Sequence, residues 1–157
     1  MSVHAVPTAS LTAVDLAPVL LRVAASAQAV ARTRRVLLSV DVESGPLVVP
    51  GGWHDVDDAL LDVIGQAVST CQAGAIVAVD VHREADGVAV DVTDTGPGAG
   101  ASVDPLVARD LLESCGGRLT VARVDGVGTS VQLWWPTPQH EPAADDAPRN
   151  AGLLAVV

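Results

Sequence analysis

Few residues in this sequence have the type and spacing for chemistry. An aspartate leads a glycine-rich turn, Asp94-Thr95-Gly96-Pro97-Gly98, at the end of a β-like stretch. A short anionic acceptor at a rigid strand end suits the reading of one hydrogen-bond donor, and desolvation there makes the pairing selective. The plainer alternative is a strand-terminating turn closed by an Asx-type hydrogen bond. Asp62, Gln66 and Ser69 share a helical face, because residues three and four apart are neighbours on a helix. Their plainer alternative is the solvated side of an amphipathic helix. Cys71 and Cys115 have neither metal-ligand spacing nor a CxxC pairing and read as buried thiols. His4, His54, His82 and His140 are scattered, and no Ser-His-Asp arrangement or metal cluster stands out.

The elements that must hold these residues follow from composition and periodicity. The 157 residues suit one domain, which at this size buries roughly 70% of the surface its unfolded chain exposes. Valine supplies 28 residues and alanine 25, so the core is expected to consist mainly of Val, Leu and Ala. All 9 basic residues are arginine against 19 acidic ones, a net charge of −10 that repels phosphate polyanions. With Phe and Tyr absent and only 3 Trp, there is little surface for stacking bases, so nucleic-acid binding is excluded. No apolar run approaches the ~18 residues of a membrane span, and the first residues show no signal-peptide pattern, so a cytoplasmic location is expected.

Apolar residues at Leu16, Val19, Leu20, Val23, Ala27, Val30 and Ala31 predict a helix from Val14 to about Arg35, capped by Asp15 or Thr12. Residues 36–43 have strand composition, and 47–51 a short second strand. Val56, Leu60, Val63, Ile64, Ala67, Val68 and Cys71 predict a helix over 55–71, with Gly74 as a stop. Strands are predicted at 75–81 and 88–94 as a hairpin, then a helix with Asp104 as N-cap and Pro105 in its first position, ended by Gly116-Gly117. Two further strands, 118–123 and 129–135, close the pattern. The order gives an α+β fold: a two-layer sandwich with helices on one face of a mixed, mostly antiparallel sheet. Residues 1–10 and 137–157 are expected to be flexible, leaving 11–136 as the domain.

In this order the residues resemble the ATP-binding domain of sensor histidine kinases and the wider group of gyrase B, Hsp90, MutL and the anti-sigma kinases. An amphipathic helix, a DxGxG after a strand, GG closing the next helix and Gly126-x-Gly128-Thr129 in a hairpin carry the resemblance. It implies that Asp94 accepts from the adenine amino group, that Gly96 and Gly98 let the backbone approach the ligand, and that Thr129 supports the adenine end. It places Gln66 where the family has a magnesium-binding asparagine. Asp62 falls four positions earlier, where it could orient an attacking hydroxyl or water. The implied cofactor is ATP or ADP with Mg.

The sequence departs from that pattern at the phosphate end. Gln66 carries its carbonyl one methylene farther out than asparagine, and magnesium tolerates little deviation from octahedral geometry. Ser69 replaces a basic residue, and only AGASVD separates Gly98 from Pro105, too little for a lid or a second glycine-rich loop. Asp104 as a cap would occupy the amides that could otherwise meet an anion. No histidine lies in a phosphoacceptor hairpin, so autophosphorylation in cis is not expected. The resulting expectation is a stand-alone histidine-kinase-like domain in signal transduction with weak or lost nucleotide binding. Two alternatives stand beside it: an anti-sigma-type interaction module without nucleotide, and a kinase acting in trans on a separate acceptor. Expected partners are an adenine nucleotide and a signalling protein, with no nucleic acid and no membrane, and homodimerisation stays open. Arg22, Arg32, Arg34 and Arg35 on the first helix, or one ring of Trp134-Trp135, are the surfaces offered to a protein partner. The plainer reading of the tryptophan pair is one core and one half-covered ring.

Overall fold

The computed structural model describes residues 12–95, 104–124 and 126–138. In chain order these form β1 (Ala13–Asp15), α1 (Leu16–Arg34), β2 (Leu37–Val42), β3 (Val48–Pro50), α2 (Trp53–Thr70), β4 (Ile76–Glu84), β5 (Gly87–Asp94), α3 (Leu106–Ser114), β6 (Arg118–Val124) and β7 (Gly128–Pro136). The main sheet has the order β2-β4-β5-β7-β6, with β2 parallel to β4 and all other pairs antiparallel. The three helices lie on one face, which makes the α+β sandwich expected from the sequence.

Helix α1 starts where the Asp15 side chain accepts from the Ala17 amide at 3.4 Å, and it buries Leu16, Val19, Leu20, Val23, Ala27 and Ala31. That stripe meets the buried face of α2, formed by Val56, Ala59, Leu60, Val63, Ile64, Ala67 and Val68. Alternate residues of the strands complete the core: Val77, Val79 and Val81 on β4, Val88, Val90 and Val92 on β5, and Val131, Leu133 and Trp135 on β7. Burial at intervals of three or four along the helices and two along the strands is what makes the helices coat one side of the sheet.

The short strand near residue 48 does not join that sheet. It pairs antiparallel with β1, Val14 opposite Val49, in a separate two-stranded ribbon. Val14 therefore belongs to a strand and not to the helix, because its apolar side chain continues the helical stripe by sequence but its backbone precedes the Asp15 cap. The β4–β5 hairpin is tighter than expected, with Glu84 opposite Gly87 and only Ala85 and Asp86 between them.

Two of the first-helix arginines, though exposed, are engaged by partners within the chain. Arg22 donates through Nε to Asp57 Oδ1 at 3.0 Å, and its Nη2 makes a second contact to the same oxygen. Asp57 is buried, and its carboxylate makes Arg22 hold its proton even more firmly than an ordinary arginine, chiefly through that hydrogen bond. Arg34 donates to the carbonyls of Val68 and Cys71, both at 3.2 Å. It thereby satisfies the C-terminal end of α2, whose own last turn carries no basic residue. Both tryptophans of the 134–135 pair are buried, Trp135 in the core and Trp134 on the opposite face of the sheet. Arg118 lies over the Trp134 ring at 4.0 Å from its centroid, so neither ring is left to anchor a partner.

Candidate functional site

Asp94 is the last residue of β5, in register with Thr129 on β7 and Val77 on β4. Its residue is 9% exposed, and Oδ1 accepts from the Thr129 backbone amide at 3.3 Å. Thr129 is itself buried. The two strands can approach this closely because residue 128 is glycine: a Cβ there would stand 1.9 Å from the Asp94 carbonyl oxygen. Beyond Asp94, Thr95 closes the strand end onto β4, its amide donating to the Ile76 carbonyl and its hydroxyl accepting from the Ile76 amide. The Asp94 charge is felt by Cys71 at the end of α2, where burial first and the nearby carboxylate second push the thiol pKa up. Asp94, Thr129 and Cys71 at the end of α2 are thus brought together. Gly96 and Gly98 lie outside the described residues, which resume at Asp104.

The polar face of α2 is arranged differently from the expectation. Asp62 and Gln66 do share a face and are in contact: Gln66 Nε2 donates to Asp62 Oδ1 at 2.9 Å. The second Asp62 oxygen accepts from the Ala108 backbone amide at 3.0 Å. Ala108 is the third residue of α3, so Asp62 caps that helix from another element. Asp104 does not cap it. Helix α3 begins at Leu106, with Pro105 in the cap position and no capping hydrogen bond from that residue's side chain. Asp104 contributes only its carbonyl, to the Leu106 amide, while its exposed carboxylate lies 4.0 Å from Arg109. Proline brings no amide and no acceptor side chain, so the helix start is completed by the carboxylate that α2 presents.

These contacts decide how the donors suit a metal. A carboxylate can only accept, so the Gln66 amide nitrogen faces Asp62 and a single carboxamide oxygen is left to ligate. Among the described residues no three His, Cys, Asp or Glu side chains converge as a cation site. Magnesium is commonly held by one or two carboxylates together with substrate phosphates and water, and here the Asp62 carboxylate is already bonded to two protein donors. By themselves these described residues do not make a closed magnesium site.

Two concavities lie elsewhere. One is lined by Pro50, Asp55, Ala59, Leu111, Ser114 and Trp135, and the other, of about 270 Å³, by Leu21, Ala24, Ala25, Gln28, Leu38 and Val40 between α1 and β2. Neither borders Asp94. Sequence reading missed the Asp62–Ala108 bond and the Arg22–Asp57 pair, which join residues 46 and 35 positions apart. The one available signal was Pro105, which announces a helix start without a cap.

No family model matches the chain, and no curated protein does either. Solved structures do. The catalytic domain of histidine kinase ThkA in a nucleotide-free form superposes with a TM-score of 0.70 at 14% identity, over 80% of this chain and 94% of that one. The mycobacterial sensor histidine kinase MprB gives a TM-score of 0.67 at 22% identity, covering 82% of this chain and 100% of the other. The Acinetobacter baumannii histidine kinase AdeS gives 0.70 at 14%, over 82% and 69%. The fold is that of histidine kinase ATP-binding domains. No helix among the described residues is long and apolar enough to cross a membrane.

Proposed function

We propose that this chain is a histidine-kinase-like ATP-binding domain of signal transduction that retains an adenine-reading position and has lost the machinery for phosphoryl transfer. The observation that carries the reading is the buried Asp94 carboxylate at the end of β5, held against the Thr129 amide within this fold. A carboxylate accepts several donors at once, so the adenine amino group can share it with the Thr129 amide. The anionic acceptor makes that hydrogen bond stronger than a neutral one, and its burial leaves a ligand without the donor at a disadvantage.

Transfer of a phosphoryl group rests on positioning and charge neutralisation, commonly through metal ions and cationic side chains. Gln66 and Asp62 are bonded to each other, and Ser69 offers no positive charge. We therefore assign the protein a binding and not a catalytic role, exerted through contacts with a signalling partner. The test is calorimetric titration of the protein with ATP and ADP, with and without magnesium. Saturable binding that disappears in Asp94→Ala and is indifferent to magnesium supports the assignment. Magnesium-dependent turnover would overturn it. The absence of any adenine ligand would favour the interaction module without nucleotide.

A further inference from the structure

We propose that the free edge of β2 is a pairing surface for a second copy of this chain, joined antiparallel about a two-fold axis at Val40. The inference stands apart from the reading of Asp94. Strand β2 ends the order β2-β4-β5-β7-β6, so among the described residues it pairs with β4 alone. The Leu37 amide donates to the Ala75 carbonyl and the Glu43 amide to the Val81 carbonyl, which turns the odd-numbered residues of β2 toward β4. Leu38, Val40 and Val42 therefore direct their amides and carbonyls outward. Such an edge is commonly blunted by proline, lysine or a bulge. Leu37–Val42 contains neither residue, and its register with β4 is unbroken. Beside this edge lies the groove in which Leu21, Ala24, Ala25 and Gln28 of α1 flank Leu38 and Val40. Leu21 is 62% exposed, so a large apolar side chain stands next to unpaired main chain.

Charge complementarity selects a second copy as the occupant. Arg32 and Arg35, at the end of α1, are exposed, and no ion pair or side-chain hydrogen bond holds them among the described residues. Asp41, toward the far end of β2, is exposed and stands in register with the like charge of Asp80. One end of the edge is thus basic and the other acidic. An antiparallel copy reverses the strand, so the basic start of each chain lies beside the acidic end of the other, twice by symmetry. A parallel copy would set basic beside basic and acidic beside acidic. With Val40 opposite Val40 of the second copy, Leu38 falls opposite Val42, and every outward amide and carbonyl of these three residues finds a partner. Asp41 then falls opposite Ser39, so the two aspartates are not opposed. The charge of −10 on each chain resists association at long range, but at about 0.15 M salt charges more than ~8 Å apart are largely screened and close contacts much less so.

The experiment is sedimentation equilibrium of the full chain from micromolar to millimolar concentration at about 0.15 M salt, with amide exchange followed by NMR over the same range. A monomer–dimer equilibrium is expected. In it the Leu38, Val40 and Val42 amides gain protection as the dimer fills, while those of Leu37, Ser39 and Asp41 are protected throughout. Arg35→Glu and Asp41→Arg should each weaken dimerisation about tenfold, since each turns two attractions into repulsions. An equimolar mixture of the two variants should form a heterodimer near wild-type affinity, because both contacts are then opposite in sign. Val40→Pro removes an outward amide that β4 does not use, which an edge strand tolerates, and this variant should be monomeric. Should it fail to fold, the mixed pair carries the test alone. A wild type that stays monomeric at millimolar concentration overturns the proposal. So does a dimer in which the three outward amides stay unprotected, or a mixture of variants that associates no more tightly than either alone. Protection of those amides in a monomer would put a segment of the same chain on the edge, and would overturn it equally.

Discussion

Replacing glycine by alanine at three positions should give three different outcomes, and the structure fixes each. At Gly128 the new Cβ would stand 1.9 Å from the Asp94 carbonyl oxygen, and ordinary contact begins at 3.4 Å, so the ends of β5 and β7 must part by about 1.5 Å. That movement carries the Thr129 amide, now 3.3 Å from Asp94 Oδ1, out of hydrogen-bond range. Overpacking costs about 1–3 kcal/mol and a buried amide left without its acceptor about 1–3 kcal/mol more, together ~2–6 kcal/mol. At ~2–4 °C per kcal/mol for a domain of this size, Tm should fall by roughly 4–24 °C. Gly126 has open space around its Cβ but a φ of 81°, so alanine there costs only the strain of a left-handed residue, about 1–2 kcal/mol. Gly65 lies within α2 with nothing near its Cβ, and alanine should stabilise by about 0.5–1 kcal/mol. Urea and thermal unfolding of the three variants would measure the series. A Gly128→Ala protein within about 0.5 kcal/mol of wild type would refute the close approach on which the placement of Thr129 against Asp94 depends.

Alkaline stability isolates the thiols, since the chain has no lysine and no tyrosine to titrate beside them. Burial is the main force raising the pKa of both Cys71 and Cys115 above the ordinary 9.0. The native state therefore keeps protons that the unfolded state releases, and stability is intact below about pH 9 and falls as pH rises beyond it, by at most ~1.4 kcal/mol per pH unit per thiol. Denaturant midpoints at pH 8 and pH 10, compared with Cys71→Ala/Cys115→Ala, should show the slope and its loss in the double variant. On the open face of the sheet Asp80 lies in register between Asp41 and Asp91, like charges side by side. Asp80→Asn should stabilise by about 0.5 kcal/mol, and the gain should shrink as salt is raised. Asp94→Asn keeps one acceptor oxygen for the Thr129 amide and should unfold within about 1 kcal/mol of wild type, whereas Asp94→Ala leaves that amide unsatisfied and costs about 1–3 kcal/mol. Both variants should lose adenine binding, so calorimetry beside unfolding separates the site from the fold.

The helical and strand periods made most of the architecture legible in advance. The stripe from Leu16 to Ala31 and the Asp15 cap stand where spacing and cap chemistry put them, except that Val30 is exposed, and the β4–β5 hairpin forms with a shorter turn than expected. Asp94 at a strand end with Thr129 beside it was legible because a distributed pattern, and not one motif, fixed their order along the chain. What could not be read is what depends on contacts between distant segments. Val14 has helical spacing but strand backbone, because its partner Val49 is 35 positions away. Arg34 gives no sign in sequence that it closes the end of α2. Asp62 looks the same whether its face is solvated, binds a metal or caps another helix, and only the Ala108 amide separates these. One ring of the Trp134-Trp135 pair reads as half-covered from sequence, yet both are buried, and the Arg118 guanidinium across the strand pair covers the Trp134 ring.

The central claim is that an adenine ligand seats on Asp94, and chemical-shift mapping of the isotope-labelled protein with adenosine and with ADP tests it most directly. The account predicts saturable shifts at the amides of Asp94, Thr129 and the last turn of α2 with both ligands. Shifts confined to the groove between α1 and β2, or none at millimolar ligand, would contradict it.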